Sequence, residues 1–312
     1  MIVVAALGGN ALLRRQEPLT AENQRRNARA AARALARILR AGHDLVVTHG
    51  NGPQIGLLAL QGLAYRPDET FPLDVMGAET DGMIGYLIEQ ELENALDHDR
   101  SVVTLLTQVL VDPADPAFRA PTKFVGPVYD KGIADGMAER YGWAMARDGA
   151  QWRRVVASPK PLDIPDTKVI GQLIGQGCVV ICAGGGGIPV IQRPDGSLIG
   201  VEAVVDKDAT TALLAERLGA EALLLLTDVD GVYRDFGAPG AARIDRLNPE
   251  EAAQLTLPAG SMGPKVASAR AFVTSGPGRI AAIGRLEDAF DLLAGHAGTR
   301  IAGEPPRGPT RS

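Results

Sequence analysis

The sequence predicts an α/β fold: a three-layer αβα sandwich with an open, mostly parallel central sheet. Three observations carry this expectation. Short apolar runs rich in β-branched residues alternate along the chain with segments of helical period, the pattern of a parallel sheet covered on both faces. Four of the apolar runs end in small, polar, glycine-rich turns, and the carboxyl ends of strands are where open α/β sheets hold ligands. A chain of 312 residues, 46% hydrophobic and 22% charged, has ordinary soluble composition and can bury one large core.

Composition also excludes several function classes. A net charge of −5 and 4% aromatic residues argue against a nucleic-acid surface. No apolar run reaches the length of a membrane span and the first residues read directly as a strand, so a cytoplasmic protein is expected. Cys178 and Cys182 sit in one apolar run and read as buried thiols, because only four histidines and no other cysteine exist to complete a metal site.

The elements follow in order. Residues 2–7 form an apolar strand ending in Gly8-Gly9-Asn10, read as a tight turn. Thr20 caps a helix over 21–41 that Gly42 stops, with an arginine-rich face opposite alanine and leucine; that face reads as solvated. A strand over 45–48 leads into His49-Gly50-Asn51-Gly52, and Pro53 suits the first position of a helix. The spacing of Ile84, Leu87, Ile88 and Leu92 predicts a helix over 81–95, and 102–111 reads as one buried strand.

Between 112 and 166 lie seven prolines and both tryptophans, with a helical piece only at 131–141. This segment is too long for a connecting loop and reads as a lid or small subdomain inserted in the main fold. No conspicuous linker splits the chain, which reads as a single domain, 1–312, of two lobes, about 1–200 and about 201–304, meeting near residue 200. Helix 166–176 and strand 177–182 then lead to Gly184–Gly187, and Pro194-Asp195-Gly196 marks a hairpin. Residues 222–226 are a strand running into Thr227-Asp228, with Tyr233 close behind; 248–254 is a short helix. Residues 258–263 are a loop, 264–274 a helix and 280–283 a strand, with a weak strand at 298–301 and a tail from 305.

The residues that carry chemistry are lysines in an unfavourable place. Lys207 follows the apolar step Ala203-Val204-Val205 and opens a helix over 209–218, where the backbone already presents positive charge. Asp206 or Asp208 can cap that helix. Lys265 repeats the arrangement after Ser261, Met262, Gly263 and Pro264. Two ammonium groups at helix starts, beside four turns whose N–H groups can converge on an anion, point to a polyanionic ligand. Gly185 and Gly186 belong to the third of those turns. A third lysine, Lys123, lies in a loop stiffened by Pro121, Gly126 and Pro127. His49 has the chemistry of a general base, although transfer to an anionic acceptor needs no proton removed, and packing at the turn is the better reading. Tyr129 and Arg154 are candidate lid contacts. Neither GxxxxGK[ST] nor GxGxxG occurs.

ALGGNAL (6–12), THGNGPQIG (48–56), PTKFVGP (121–127), WRRVVASPKP (152–161), CAGGGGIPV (182–190), GVEAVVDKDATTALLAE (200–216) and GSMGPK (260–265), taken in order, resemble the carbamate kinases, of the amino-acid-kinase fold. The resemblance implies Mg²⁺-dependent, reversible phosphoryl transfer between ATP and carbamate, giving carbamoyl phosphate and ADP, working toward ATP synthesis in arginine catabolism. It also implies a homodimer and an eight-stranded central sheet. Lys123, Lys207 and Lys265 match the lysines that neutralise the transferred group, and Asp208, with Asp206 second, the carboxylate that organises them. Gly8, Gly9, Asn10, Gly50, Asn51, Gly52, Gly185 and Gly186 match phosphate- and acceptor-binding turns. Thr227, Asp228, Tyr233, Met262, Gly263 and Pro264 fall at the nucleotide, with Mg²⁺ held mainly by its phosphates rather than by protein ligands. Phe124-Val125 replaces the more usual Pro-Ile of the lysine loop. Two other readings compete: a sister kinase for another small carboxylate or phosphonate, and a nucleotide-binding sensor without turnover. A dehydrogenase fits least, lacking the dinucleotide glycine spacing.

Overall fold

The computed structural model describes residues 1–13, 17–66, 70–238, 240–257 and 262–303, with the backbone alone at 10 and 11. Ser261, most of the 258–263 loop and the tail from 305 lie outside the described residues.

Alternation along one strand explains the layers. In β1, Ile2–Leu7, the side chains of Val3, Ala5 and Leu7 join one hydrophobic cluster while Val4 and Ala6 join another. The first cluster sits under the helices Ala21–Arg40, Leu73–Ala95 and Ala289–Ala294, the second under Thr167–Gly175, Lys207–Arg217 and Met262–Thr274. A strand buried on both faces must be apolar throughout, which is why these runs do not alternate with polar residues.

The remaining strands of this sheet are β2 (Asp44–His49), β3 (Val102–Thr104), β4 (Val179–Ile181), β5 (Ala222–Thr227), β6 (Arg246–Leu247), β7 (Ile280–Arg285) and β8 (Thr299–Ala302). Their spatial order is β6-β8-β7-β5-β1-β2-β4-β3, and every pairing is parallel except β7 with β8. The three-layer sandwich and its eight-stranded sheet are as expected. Parallel register brings the carboxyl ends of β5, β1, β2 and β4 side by side, and with them four of the turns singled out in the sequence.

Several boundaries differ from the sequence reading. Residues 102–111 are two strands, since Leu105–Thr107 leave the main sheet and Gln108–Val111 pairs with Ile188–Gln192 in a separate four-stranded sheet. The helix expected to begin at 81 begins at Leu73, directly after Pro72. Gly9–Leu12 is a turn of helix rather than a simple tight turn. The 112–166 segment holds more than one helical piece. Lys123–Tyr129, Met145–Asp148 and Gln151–Val156 form a three-stranded antiparallel sheet beside the helix Lys131–Tyr141. Those strands are half-exposed and mix charge with apolar residues, which hides them from hydropathy. Cys178 and Cys182 flank β4 as free thiols, Cys182 buried and Cys178 only partly so. No helix among the described residues is long and apolar enough to cross a membrane. The arginine face of Ala21–Arg40 is exposed and partly ion-paired, Arg29 to Glu91 at 2.8 Å and Arg37 to Asp291 at 3.4 Å.

Candidate active site

Two helix starts meet at the carboxyl edge of the sheet. Asp206 caps the Lys207–Arg217 helix by accepting hydrogen bonds from the N–H groups of Asp208 and Ala209, at 3.0 and 3.1 Å. Lys207 is therefore the first helical residue. Lys265 lies in the opening turn of Met262–Thr274, which packs against the first helix. The helix thus starts two residues before the expected Pro264.

Both ammonium groups are nearly buried, and one carboxylate serves them. Lys207 Nζ donates to Asp208 Oδ1 at 2.6 Å, and Lys265 Nζ to Asp208 Oδ2 at 2.8 Å. Lys123, at the start of the inserted sheet, reaches Asp206 Oδ2 at 2.8 Å. Asp206 and Asp208 thus divide the three lysines, Asp208 holding two and Asp206 one. Burial works against the ionised form of Asp208, but the two ammonium groups outweigh it and hold its pKa well below the usual carboxylate range. Burial likewise opposes ionisation of Asp206, and Lys123 overrides it. For Lys207, burial and the repulsion of Lys265 lower the pKa despite Asp208. Within this cluster three ammonium groups share two carboxylates at two helix N-termini, whose free N–H groups favour an anion.

This cluster forms one wall of a cavity of about 330 Å³. Gly8 and Gly9 from the end of β1, Gly50, Asn51 and Gly52 from the end of β2, and Gly185 line it opposite the lysines. Thr227, Asp228 and Pro264 line it as well, Thr227 beside Gly8 and Pro264 next to Lys265. The turns are held against one another by backbone: Gly50 N–H donates to the Leu7 carbonyl at 3.0 Å, and a Cβ on Gly50 would lie 3.1 Å from Gly9 N. Gly185 has φ +67°, and a Cβ there would meet Asn51 Nδ2 at 2.1 Å, so no side chain is compatible with that approach.

Thirteen of the eighteen expected site residues line this cavity. Gly186 does not; its carbonyl accepts from Thr210 Oγ1 at 2.9 Å behind the wall. Gly263 is absent from the lining, Met262 packs into the second hydrophobic cluster, and Tyr233 donates to Asp230 at 3.0 Å outside the cavity. The Asn10 side chain is outside the described residues. Sequence reasoning missed Ile55, Val204 and Val205, apolar wall residues whose signal is only that of core. Tyr129 does not reach this cavity, while Arg154 of the inserted sheet pairs with Glu202 at 3.2 Å, just ahead of the lysine helix. A larger cavity, about 570 Å³, opens near Phe71, Trp143 and Arg154. None of the three lysines lines it.

The surroundings suit a phosphoryl group passing between two anions: donors at the strand ends, ammonium groups on one side, apolar residues closing the back. Mg²⁺ prefers six oxygens, keeps several waters, and is held in nucleotide sites by phosphates with one or two carboxylates. Asp206, Asp208 and Asp228 line the cavity and fit that supporting part. Among the described residues no group of three or more His, Cys, Asp or Glu side chains could hold a metal by itself.

Comparison with known proteins agrees with this geometry. Residues 1–282 match the amino acid kinase family. The carbamate kinase of Rhizobium meliloti is 53% identical over 304 residues, 97% of this chain and 93% of the relative. That of Haemophilus influenzae is 51% identical over 96% of both chains. The structure of the carbamate kinase from Giardia lamblia bound to AMP-PNP superposes with a TM-score of 0.88 at 40% identity, covering 97% of this chain and 98% of that one.

Proposed function

We propose, from the premise that the chain belongs to the amino acid kinase family and within it to the carbamate kinases, a specific reaction for this kinase. It transfers a phosphoryl group reversibly between ATP and carbamate, with Mg²⁺, and works toward ATP from carbamoyl phosphate and ADP, as arginine catabolism would require. The observation that carries the reading is the pair Lys207 and Lys265 on the two oxygens of buried Asp208, facing the glycine turns across the cavity.

The mechanism follows from charge. Carbamate already bears a nucleophilic oxygen, so the protein has no proton to remove and little covalent work to do. Its task is to hold two anions in line and to neutralise charge on the migrating group. Lys207 and Lys265 neutralise the equatorial oxygens, with Asp208 fixing their direction. The N–H groups of Gly9 and Gly52, at the first positions of their helices, bind oxygens that the lysines do not reach, while those of Gly8 and Gly50 are used to hold the turns against the Leu226 and Leu7 carbonyls. Asp206, Asp208 and Asp228 would help the nucleotide's own phosphates hold Mg²⁺, which would supply further charge neutralisation. The three-stranded unit within 112–166 acts as a lid: Lys123 rides on it, and closing it over the cavity excludes the water that would hydrolyse carbamoyl phosphate. The nucleotide lies toward Thr227, Asp228 and Pro264.

A homodimer is part of the same proposal, supported by exposed Val75, Met83 and Tyr86 on the Leu73–Ala95 helix and by exposed Leu106, Leu198 and Ile199. A cytoplasmic location belongs to the same reading. The deciding experiment is incubation with ADP, Mg²⁺ and carbamoyl phosphate with luminescent detection of ATP. Rapid ATP formation is expected. ADP binding without any ATP would instead favour a sensor, and ATP formed only with another acyl phosphate would favour a sister kinase.

A further inference from the structure

Behind the acceptor end of the cavity lies a buried polar network that the mechanism does not use. Thr80 and Asp81 are neighbours on the Leu73–Ala95 helix, and neither is exposed. Thr80 Oγ1 accepts a hydrogen bond from Asn51 Nδ2 at 2.9 Å. Asp81 Oδ1 accepts one from the Gly184 N–H at 3.1 Å and lies 3.4 Å from Nε2 of His49, which is buried as well. Nδ1 of His49 is in turn 3.4 Å from the Gly50 carbonyl oxygen. One helical turn thus grips two of the three glycine-rich turns at this cavity. The fit leaves no slack: a Cβ on Gly184 would come 2.1 Å from Asp81 Oδ1.

A core that needed only packing would not place a carboxylate here. Among the described residues Asp81 Oδ2 and His49 Nε2 have no hydrogen-bond partner. A buried carboxylate with one oxygen unpartnered lowers stability. Local violations of this kind cluster where geometry serves a site.

We propose that Thr80 and Asp81 are positioning residues for the phosphoryl acceptor. Through Asn51 and Gly184 they set the two turns against each other and fix the space into which carbamate or carbamoyl phosphate fits, without touching either. Thr227 and Pro264, toward which the proposed nucleotide lies, stand on other elements and make no hydrogen bond to Thr80 or Asp81 among the described residues. The inference rests on the kinase reading of this cavity.

The test measures KM for carbamoyl phosphate and for ADP separately, with kcat and the thermal midpoint, in the wild type, Thr80→Val, Thr80→Ser and Asp81→Asn. Thr80→Val keeps the shape and deletes the hydroxyl. It is expected to raise KM for carbamoyl phosphate about 10- to 100-fold, the cost of small misplacement at a reacting centre, and to leave KM for ADP unchanged, while the midpoint falls because the buried Asn51 amide loses its acceptor. Thr80→Ser restores the wild-type value. Asp81→Asn is expected to give the same split with an equal or higher midpoint, since a buried charge is gone. KM values unchanged for both substrates, or raised together in step with a lowered midpoint, would overturn the inference and leave the kinase reading standing. A wild type that makes no ATP would overturn the kinase reading and the inference with it.

Discussion

Lys207 and Lys265 each hold a separate oxygen of one carboxylate, so removing any of the three residues changes the charge that the other two feel. Lys207→Ala and Lys265→Ala should each lower kcat by about 10²–10³, the cost of deleting one stabilising donor at a developing anion, measured as ATP formed per second. Asp208→Asn has a different signature. It leaves two nearly buried ammonium groups unpaired, so stability should fall by about 3–5 kcal/mol in denaturant titration, and added ADP should recover part of it. The pH dependence has a definite sign. Lys207 loses its proton below 10.5, so the alkaline limb of kcat/KM should fall at lower pH than for an ordinary lysine. Polyphosphate binding favours the charged form and should move the limb of kcat upward relative to that of kcat/KM. Asp208 acts at the other end. Its folded pKa lies below 3.8, so its contribution to stability is complete above that value and is lost as pH falls through the lower folded one.

At the scale of elements, the inserted sheet is seated by a contact between two glycines. A Cβ on Gly56, in the helix Gly52–Tyr65, would lie 2.4 Å from the Cα of Gly126, whose φ is +73°. Lys123 belongs to the same strand as Gly126 and points back to Asp206. Gly56→Ala must push that strand away, because backbone rather than a movable side chain stands in the way. The expected result is a fall in kcat of about 10²-fold from displaced Lys123, with KM for ADP little changed, read from initial rates. The same strand shows why sequence reading failed there. Val125 is buried while Pro127 and Val128 are exposed, and the register shifts between Val125 and Val128, so no period of two survives to be recognised. The 102–111 run failed for the opposite reason: it is mostly apolar, and only Leu105–Thr107 leaving the sheet divides it between two partners.

At the scale of the molecule, the Leu73–Ala95 helix has two jobs on two faces. Its inner face holds Thr80 and Asp81 against the acceptor turns, and its outer face carries exposed Val75, Met83 and Tyr86. Light scattering should give twice the 32.7 kDa chain mass, and Met83→Glu with Tyr86→Glu should give the single-chain mass. A single-chain mass for the wild type would remove the dimer from the proposal.

Hydrophobic period and turn chemistry in the sequence by themselves determined the layered α/β class, because strands buried on two faces and helices buried on one leave distinct local patterns. They also determined that Lys207 stands at a helix start behind an aspartate cap, a matter of neighbours within three residues. Tertiary structure alone decided how the charges pair. Lys123 and Asp206 are 83 residues apart, and Lys265 and Asp208 57 apart. Thr80 and Asp81 reached the site unannounced, since a polar residue on a buried helix face has no local signal of what it will touch. Contacts of that range depend on the order of strands across the sheet, which parallel pairing fixes only when the whole chain has folded.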